Sequence, residues 1–175
     1  ATLREQNADI IFLQEVWAQE GGLDQADWLA DELNMYVART EGPWYDEGVS
    51  LGNAILSRFR FVSFENQDCS DHRFERRGLL HCVLAVPGWR RNLHCLCVHL
   101  SLHERGRRRQ LDAIAARLEP LADRRLPLIV AGDFNDWRNR AGDQLARRLG
   151  LKEVFSGHDG RPVRSFPAAL PFFRL

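Results

Sequence analysis

Three short polar side chains follow an apolar run in the last third of the chain. Residues 128–131 read Leu-Ile-Val-Ala, Gly132 comes next, and Asp133, Asn135 and Asp136 follow. Such a run is typical of a strand buried on both faces. A carboxylate and an amide two residues apart supply a hard oxygen ligand or water-positioning base and a neutral hydrogen-bond donor. Because these residues are also common turn formers, the stretch by itself leaves a ligand site and a plain turn equally open.

Two further apolar runs place chemically useful side chains near a predicted strand end. The run ADIIFLQEV, residues 8–16, brings Glu15 to the end of a strand, and the run CLCVHLSL, residues 95–102, carries His99. If Glu15 and Asp133 lie at the same end of adjacent sheets, they make a site for a hard divalent cation, which prefers oxygen ligands and keeps several waters. A solvated glutamate and a structural histidine are the plainer alternatives.

The cysteines raise a zinc alternative. Strand alternation puts Cys95, Cys97 and His99 on one side, and Cys82 is expected across a hairpin from Cys95. Cysteine and histidine are zinc ligands, but a C-x-C-x-H pattern along a strand lacks the usual zinc spacing. The apolar surroundings favour cysteine as a small hydrophobic residue, with structural zinc as the minor alternative.

Basic and polar residues at three element starts could reach the same site. Four of the five residues from 105 to 109 are arginines at the start of a predicted helix, and Asn53 and Arg77 each begin an apolar strand. A solvated helix face is the favoured interpretation of the arginine group, and a phosphate-facing patch is the alternative.

Composition fits one globular domain over residues 1–175. Apolar residues make up 45%, charged residues 27%, and the formal net charge is zero, so no overall field draws the chain to nucleic acid or membrane. Residues 1–175 show neither a secretory-signal pattern nor a membrane-length apolar run. We therefore expect a monomer in the reducing cytoplasm, without stable membrane insertion.

Hydrophobic periodicity predicts helices and strands in mixed order, with some strands joined by helices and others joined directly to each other. The predicted helices cover residues 23–34, 104–121 and 141–149, and the predicted strands cover residues 8–16, 35–39, 52–58, 60–64, 78–86, 92–100 and 128–131. Residues 40–50 and 66–76 read as loops, and Trp44 and Tyr45 in the first could stack on a base or touch a lipid. Because several strands are apolar at consecutive positions, we expect two sheets packed face to face with helices outside.

Five segments in this order resemble motifs of the endonuclease/exonuclease/phosphatase superfamily of DNase I-like, metal-dependent phosphoesterases. The segments are ADIIFLQEV, GNAILSR, RRGLL, CVHLSLHERGRRRQ and LIVAGDFND. GDFN after an apolar strand is fairly specific, and the ordered set is the strong signal. The resemblance implies an α/β (α+β) fold, a four-layer sandwich of two packed mixed β-sheets flanked by helices. It also implies that the family's first strand would precede Ala1 and that its last strands, with an Asp-His pair, would follow Leu175.

The resemblance also implies roles for individual residues. Glu15 matches the magnesium-ligating glutamate, and His99 matches a histidine that contacts the phosphoryl group. Asp133 matches the aspartate that positions or activates the attacking water, and Asn135 the asparagine that touches the phosphate. Two looser matches are Asn53 and Arg77, both as substrate-binding residues.

The implied activity is hydrolysis of a phosphodiester or phosphomonoester with Mg²⁺, or Mn²⁺, as cofactor. Nucleic acid, phosphoinositides, sphingomyelin-like lipids and small phosphodiesters are the candidate phosphate-ester substrates. Neutral net charge argues mildly against a tight nonspecific DNA binder, because such binding depends on neutralising phosphates. The alternatives are a phospholipid- or phosphoinositide-type phosphoesterase and an inactive binding module of the same fold.

Overall fold

The computed structural model describes residues 2–40, 48–70, 77–136, 140–152 and 154. The predicted Trp44–Tyr45 loop therefore lies outside the described residues, as does the segment from residue 155 onward. The elements in chain order are α1 (Leu3–Gln6), β1 (Ile10–Gln19), α2 (Gln25–Leu33), β2 (Tyr36–Arg39), β3 (Val49–Ser57), β4 (Arg60–Asp68), β5 (Gly78–Ala85), β6 (Leu93–His99), α3 (Glu104–Asp123), β7 (Leu128–Asp133) and α4 (Arg140–Leu149).

The strands form two sheets that pack face to face. One sheet has the order β1-β3-β2 and is antiparallel in its described strands; the other has the order β4-β5-β6-β7, and its β6–β7 pair is parallel. Strand β3 lies against β5 and β6, and β1 lies against β6 and β7. Helices α3 and α4 pack on each other and share a core with the four-stranded sheet. This arrangement confirms the predicted pair of packed sheets flanked by helices.

Strand β6 shows how one strand serves two cores. Cys95 and Cys97 point into the core between the sheets, whereas Leu96 and Val98 point into the core under α3 and α4. The apolar residues 95–98 of β6 are therefore buried on both faces, as the sequence predicts. Cys82 pairs with Cys95 across the β5–β6 hairpin, which confirms the expected neighbours.

The three predicted helices are all present, as α2, α3 and α4, with bounds within about two residues of the predicted ones. Asp24 caps α2 by accepting hydrogen bonds from the backbone N–H groups of Ala26 at 2.8 Å and Asp27 at 3.2 Å. Helix α3 continues two residues past its predicted end, through Pro120 to Asp123. Within the described residues, no helix is both long and apolar enough to span a bilayer.

Two sequence expectations about strands are wrong. The predicted loop from residue 66 begins too early, because residues 66–68 still pair with β5 and complete β4. Residues 128–131 are also not buried on both faces, since Ile129 is 39% exposed. Strand β7 is the outermost described strand of its sheet, and only its Leu128 and Val130 side packs on the helical core.

Candidate active site

Glu15 sits on a β-bulge in the middle of β1. Leu13 pairs with Ala54 and Val16 with Gly52, so two residues of β1, Gln14 and Glu15, stand opposite one residue of β3. Glu15 takes a left-handed conformation with φ of 55°. A bulge re-aims the side chain it carries, and the Glu15 side chain is 69% exposed. The prediction that the strand ends here is wrong, because this local kink lets β1 resume and run to Gln19.

His99 and Asp133 lie side by side at the ends of parallel strands. They are paired residues of β6 and β7, and alternation puts both on the face toward the other sheet. Gly132 holds a φ of 139°, and a Cβ at this position would overlap the backbone of Val98. The glycine of the GDFN motif therefore allows β7 to approach β6 this closely.

The imidazole of His99 lies near two carboxylates from different sheets. Its Nε2 atom is 4.0 Å from Oε1 of Glu15 and 3.8 Å from Oδ2 of Asp133. The His99 residue is only 8% exposed, whereas the Glu15 carboxylate reaches solvent. The structure thus brings together the three residues that the sequence places at separate strand ends.

Asn135 fixes the turn that carries Asp133. Its backbone N–H donates to Oδ1 of Asp133 at 2.8 Å, and its φ of 48° is left-handed. Its side-chain Nδ2 donates to the carbonyl of Leu100 at 2.8 Å, which ties the β7 end to the β6 end. Asn135 is buried at the site, and its contact with a phosphate stays a prediction.

Arg77 extends the site toward β5. Its Nη1 atom is 3.1 Å from Nδ1 and 3.0 Å from Nε2 of His99, and its backbone N–H donates to Oγ of Ser70 at 2.9 Å. A guanidinium is always charged and matches phosphate oxygens well. The structure therefore places a permanent positive charge beside the histidine.

Asn53 faces the opposite sheet. Its Nδ2 donates to the carbonyl of Gly78 at 2.7 Å and lies 3.4 Å from the carbonyl of Cys97, and the residue is 4% exposed. These bonds link β3 to β5 and β6 just behind Arg77 and His99. The substrate contact expected of Asn53 stays a prediction, and the observed bonds describe a link between the sheets.

The buried thiols have surroundings that disfavour a metal. Burial raises the pKa of Cys95 and of Cys97 to about 12, and it raises the pKa of Cys82 further. Zinc binds the thiolate, so deprotonation of these buried thiols would add to the free-energy cost of zinc binding. In the part of the chain that the structure describes, no group of three or more His, Cys, Asp or Glu side chains is arranged to hold a metal ion.

The site's own donors fit a harder ion with fewer protein ligands. Mg²⁺ is commonly bound by one or two carboxylates, with water and substrate phosphate completing its shell. Glu15 and Asp133 each supply a carboxylate oxygen near the same imidazole nitrogen. This donor set is compatible with Mg²⁺ or Mn²⁺.

Gln110 is a supporting residue that sequence reasoning missed. It is buried in α3, where its Oε1 accepts from the Ser101 backbone N–H at 2.8 Å and its Nε2 donates to the carbonyl of Cys69 at 3.0 Å. These bonds hold the chain just after His99. A signal was readable, because Gln110 interrupts the buried stripe between Gly106 and Ile114 at helical spacing.

A model of the Endonuclease/Exonuclease/phosphatase family matches residues 1–174 of the chain. Among curated proteins, the chain is 39% identical over 183 residues to the uncharacterized protein YbhP of Escherichia coli strain K12. That alignment covers 99% of this chain and 72% of the relative.

Solved structures show the same fold at low sequence identity. The human Nocturnin catalytic domain with bound sulfate matches with a TM-score of 0.73 and 21% identity, over 91% of this chain and 64% of that domain. A mannosyl-6-phosphatase of Bacteroides thetaiotaomicron VPI-5482 matches with a TM-score of 0.67 and 15% identity, over 83% of this chain and 58% of that one. D. rerio TDP2 complexed with a single-strand DNA product matches with a TM-score of 0.54 and 17% identity, over 87% of this chain and 56% of that one. The predicted DNase I-like fold is thereby confirmed, and the chain spans less than two thirds of each of these structures.

Proposed function

Because this chain belongs to the endonuclease/exonuclease/phosphatase family, we propose that it carries the catalytic site of a metal-dependent phosphoesterase. The observation that carries the proposal is the position of His99 Nε2, 4.0 Å from the Glu15 carboxylate and 3.8 Å from that of Asp133. Phosphoryl transfer depends on positioning and on charge stabilisation, and this site gathers carboxylates, an imidazole and a guanidinium at one edge.

Glu15 is the proposed ligand of the Mg²⁺ or Mn²⁺ ion. Its carboxylate is solvent-accessible and is presented by a bulge, whereas Asp133 lies deeper, with a 23% exposed side chain. When bound, the ion would neutralise charge on the phosphoryl oxygens as a Lewis acid. The remaining work falls to side chains of the chain itself.

Asp133 is proposed to orient the attacking water. Its Oδ1 already accepts the Asn135 backbone N–H, so the carboxylate is held in one orientation and Oδ2 is the atom directed toward His99. An attacking water hydrogen-bonded to Oδ2 would lose its proton toward that oxygen as it approaches phosphorus. His99 and Arg77 would donate to the non-bridging phosphate oxygens, because both lie at the same edge.

Replacement of Asp133 with alanine tests this assignment in the full-length protein. We expect turnover of bis(p-nitrophenyl) phosphate with Mn²⁺ to fall on the order of 10²- to 10⁴-fold, the usual contribution of a positioned acid or base. Thermal unfolding should shift only modestly, because the carboxylate is partly exposed, although the Asn135 backbone N–H loses its acceptor. Asp31→Ala, at an exposed position of α2, is the control. Turnover of Asp133→Ala at the parent rate would refute the assignment.

The substrate class is proposed more coarsely, as a phosphate ester that reaches a shallow site at the edge of two sheets. Nucleic acid and a small or lipid ester are distinguished by salt, because polynucleotide binding falls steeply as salt rises. We propose titrating KM for an oligonucleotide, for bis(p-nitrophenyl) phosphate and for phosphoinositide vesicles against NaCl. Absence of turnover on every ester, with Mn²⁺ binding intact, would favour the inactive binding module.

A monomer in the cytoplasm completes the proposal. The compartment is proposed because the four cysteines are free thiols, which a reducing environment maintains. Light scattering coupled to size exclusion tests the oligomeric state of the full-length protein, and cell fractionation tests its compartment.

A further inference from the structure

The thiol of Cys97 lies directly behind the bulge that carries Glu15. Its Sγ accepts a hydrogen bond from Nε2 of Gln14 at 3.1 Å and donates to the carbonyl of Leu13 at 3.4 Å. Gln14 is a bulge residue and Leu13 is the last regularly paired residue before it. One buried sulfur of β6 thus engages the backbone and a side chain on the near side of the bulge in the opposite sheet.

A third contact joins the same two places. Asn53, the single residue opposite the bulge on β3, has its Nδ2 at 3.4 Å from the carbonyl of Cys97. Cys97 therefore contacts the three-stranded sheet through its sulfur and its carbonyl, and each contact goes to the bulge or to the residue facing it.

The bulge requires such support. A non-glycine residue in the left-handed region is disfavoured and persists only where its surroundings hold it. Glu15 has this conformation, and the ladder cannot hold it, because Gln14 and Glu15 share one opposing residue. Burial raises the pKa of the Cys97 thiol to about 12, so the proton that Leu13 accepts is present at neutral pH.

We propose that Cys97 is a positioning residue, whose thiol holds the bulge so that the Glu15 carboxylate stays beside His99 and Asp133. The inference rests on the proposed role of Glu15 as the metal ligand. It differs from a packing role, in which any buried thiol of β6 would serve equally well.

Cys95 is the matched control for packing. It lies two residues earlier on β6, points into the same core and is equally inaccessible. Burial alone raises the pKa of its thiol, whereas the sulfur of Cys97 is also hydrogen-bonded to Gln14 and Leu13. Alanine at either position removes one buried sulfur, but only Cys97→Ala removes the contacts with the bulge.

The experiment compares Cys97→Ala, Cys97→Ser and Cys95→Ala in the full-length protein with two measurements. Amide hydrogen exchange of the peptide over residues 13–17, without metal, reports on the bulge. Calorimetric Mn²⁺ titration reports on the Glu15 site. We expect the amides of residues 13–17 to exchange faster in Cys97→Ala than in the parent and in Cys95→Ala. Cys97→Ala should also bind Mn²⁺ on the order of 10-fold more weakly, the size of effect seen when residues that support a metal ligand are lost. Cys97→Ser should recover part of both losses, since a hydroxyl also donates and accepts.

The outcomes separate this inference from the proposed function. Equal exchange and equal Mn²⁺ affinity in Cys97→Ala and Cys95→Ala would overturn the positioning role and leave the phosphoesterase proposal standing. A Glu15→Gln variant that binds Mn²⁺ like the parent would overturn the proposed metal ligand, and with it the role of Cys97 in metal binding. If hydrogen exchange over residues 13–17 in Cys97→Ala were also as slow as in the parent, Cys97 would not support the bulge either.

Discussion

Two histidines of the four-stranded sheet each lie beside an arginine and a carboxylate, with different results. His81, in the middle of β5, faces α3, where its Nδ1 is 3.3 Å from Glu65 and 3.3 Å from Arg117, and its Nε2 is 3.0 Å from Nδ1 of His94. Arg117 and Glu65 form an ion pair with each other. The groups around His81 thus contact one another directly.

At His99 the carboxylates stand farther away. Arg77 contacts the ring directly, but the Glu15 and Asp133 oxygens lie 4.0 and 3.8 Å from Nε2, beyond hydrogen-bond distance. Their elements come from two sheets, and the edge is open to solvent through Glu15. Histidine, arginine and carboxylate side chains therefore contact one another directly under α3. At the ends of β6 and β7 the carboxylates stand farther from the histidine, which leaves room for a ligand. We refer to the two regions as the His81 cluster and the His99 site.

The largest expected difference is in turnover, when the two arginines are compared. Arg77→Met should reduce kcat on the order of 10²-fold, because loss of one preorganised charge at developing phosphate charge has effects of this size. Arg117→Met should leave kcat within about twofold, since it removes only a partner of the His81 cluster. The measurement is steady-state hydrolysis of bis(p-nitrophenyl) phosphate with Mn²⁺. Equal losses in both variants would remove the distinction.

The next largest effect is expected for a substitution beside the His99 site, measured as the free energy of unfolding of the protein. Gly132→Ala should destabilise the protein by about 2–3 kcal/mol or more, because a Cβ would overlap Val98 and force β7 away from β6. Gly150 also has a positive φ, of 67°, but has open space around its Cβ position. Gly150→Ala should therefore cost only the backbone strain, about 1 kcal/mol. Urea unfolding measures both, and equal costs would show that the close approach is unimportant.

Acid should weaken the His81 cluster. Burial lowers the pKa of His81, and burial together with His81 lowers the pKa of His94. Between pH 6.5 and the lower pKa values of the folded protein, the unfolded chain binds more protons at these two histidines than the folded chain does. The free energy of unfolding therefore decreases as the pH is lowered through this range. Glu65 and Arg117 also face His81, and the former favours its protonation while the latter opposes it.

The test compares unfolding free energy against pH for the parent and for His94→Gln. The variant should lose less stability between pH 6.5 and pH 5 than the parent does. A parallel decline in both proteins would show that the histidine pair carries none of the acid sensitivity.

The smallest effect is expected for Glu65→Gln. The Glu65 side chain is 56% exposed, and exposed ion pairs contribute at most about 1 kcal/mol. We expect an unfolding free energy within about 1 kcal/mol of the parent, and unchanged kcat, by urea titration and steady-state hydrolysis. A drop in kcat would show that the His81 cluster is coupled to the His99 site, which would contradict the distinction between the two regions.

The sequence predicts the regular parts of this fold well, for identifiable reasons. Continuous apolar runs mark β5 and β6, and alternation correctly puts Cys95 and Cys97 on one face. The ends of β6 and β7 meet because parallel strands pair residue by residue, which brings His99 beside Asp133. Local chemistry and strand geometry decide these features, so they are visible without three-dimensional information.

Other features depend on contacts between distant segments. Periodicity cannot show that Glu15 takes a left-handed conformation, and the strand was therefore predicted to end there. The direction of the Asn53 amide depends on where β5 and β6 pass, and the contact of Arg77 with His99 joins residues 22 positions apart.

The bulge in β1 also bears on how the chain could change in length. Leu13 and Val16 are already paired with Ala54 and Gly52, so removal of Glu15 would leave Gln14 alone opposite Asn53 in an ordinary ladder. No other residue of β1 would change its partner. The glutamate is thus supernumerary to the sheet, and a single-codon insertion or deletion could add or remove this carboxylate without shifting the rest of the strand.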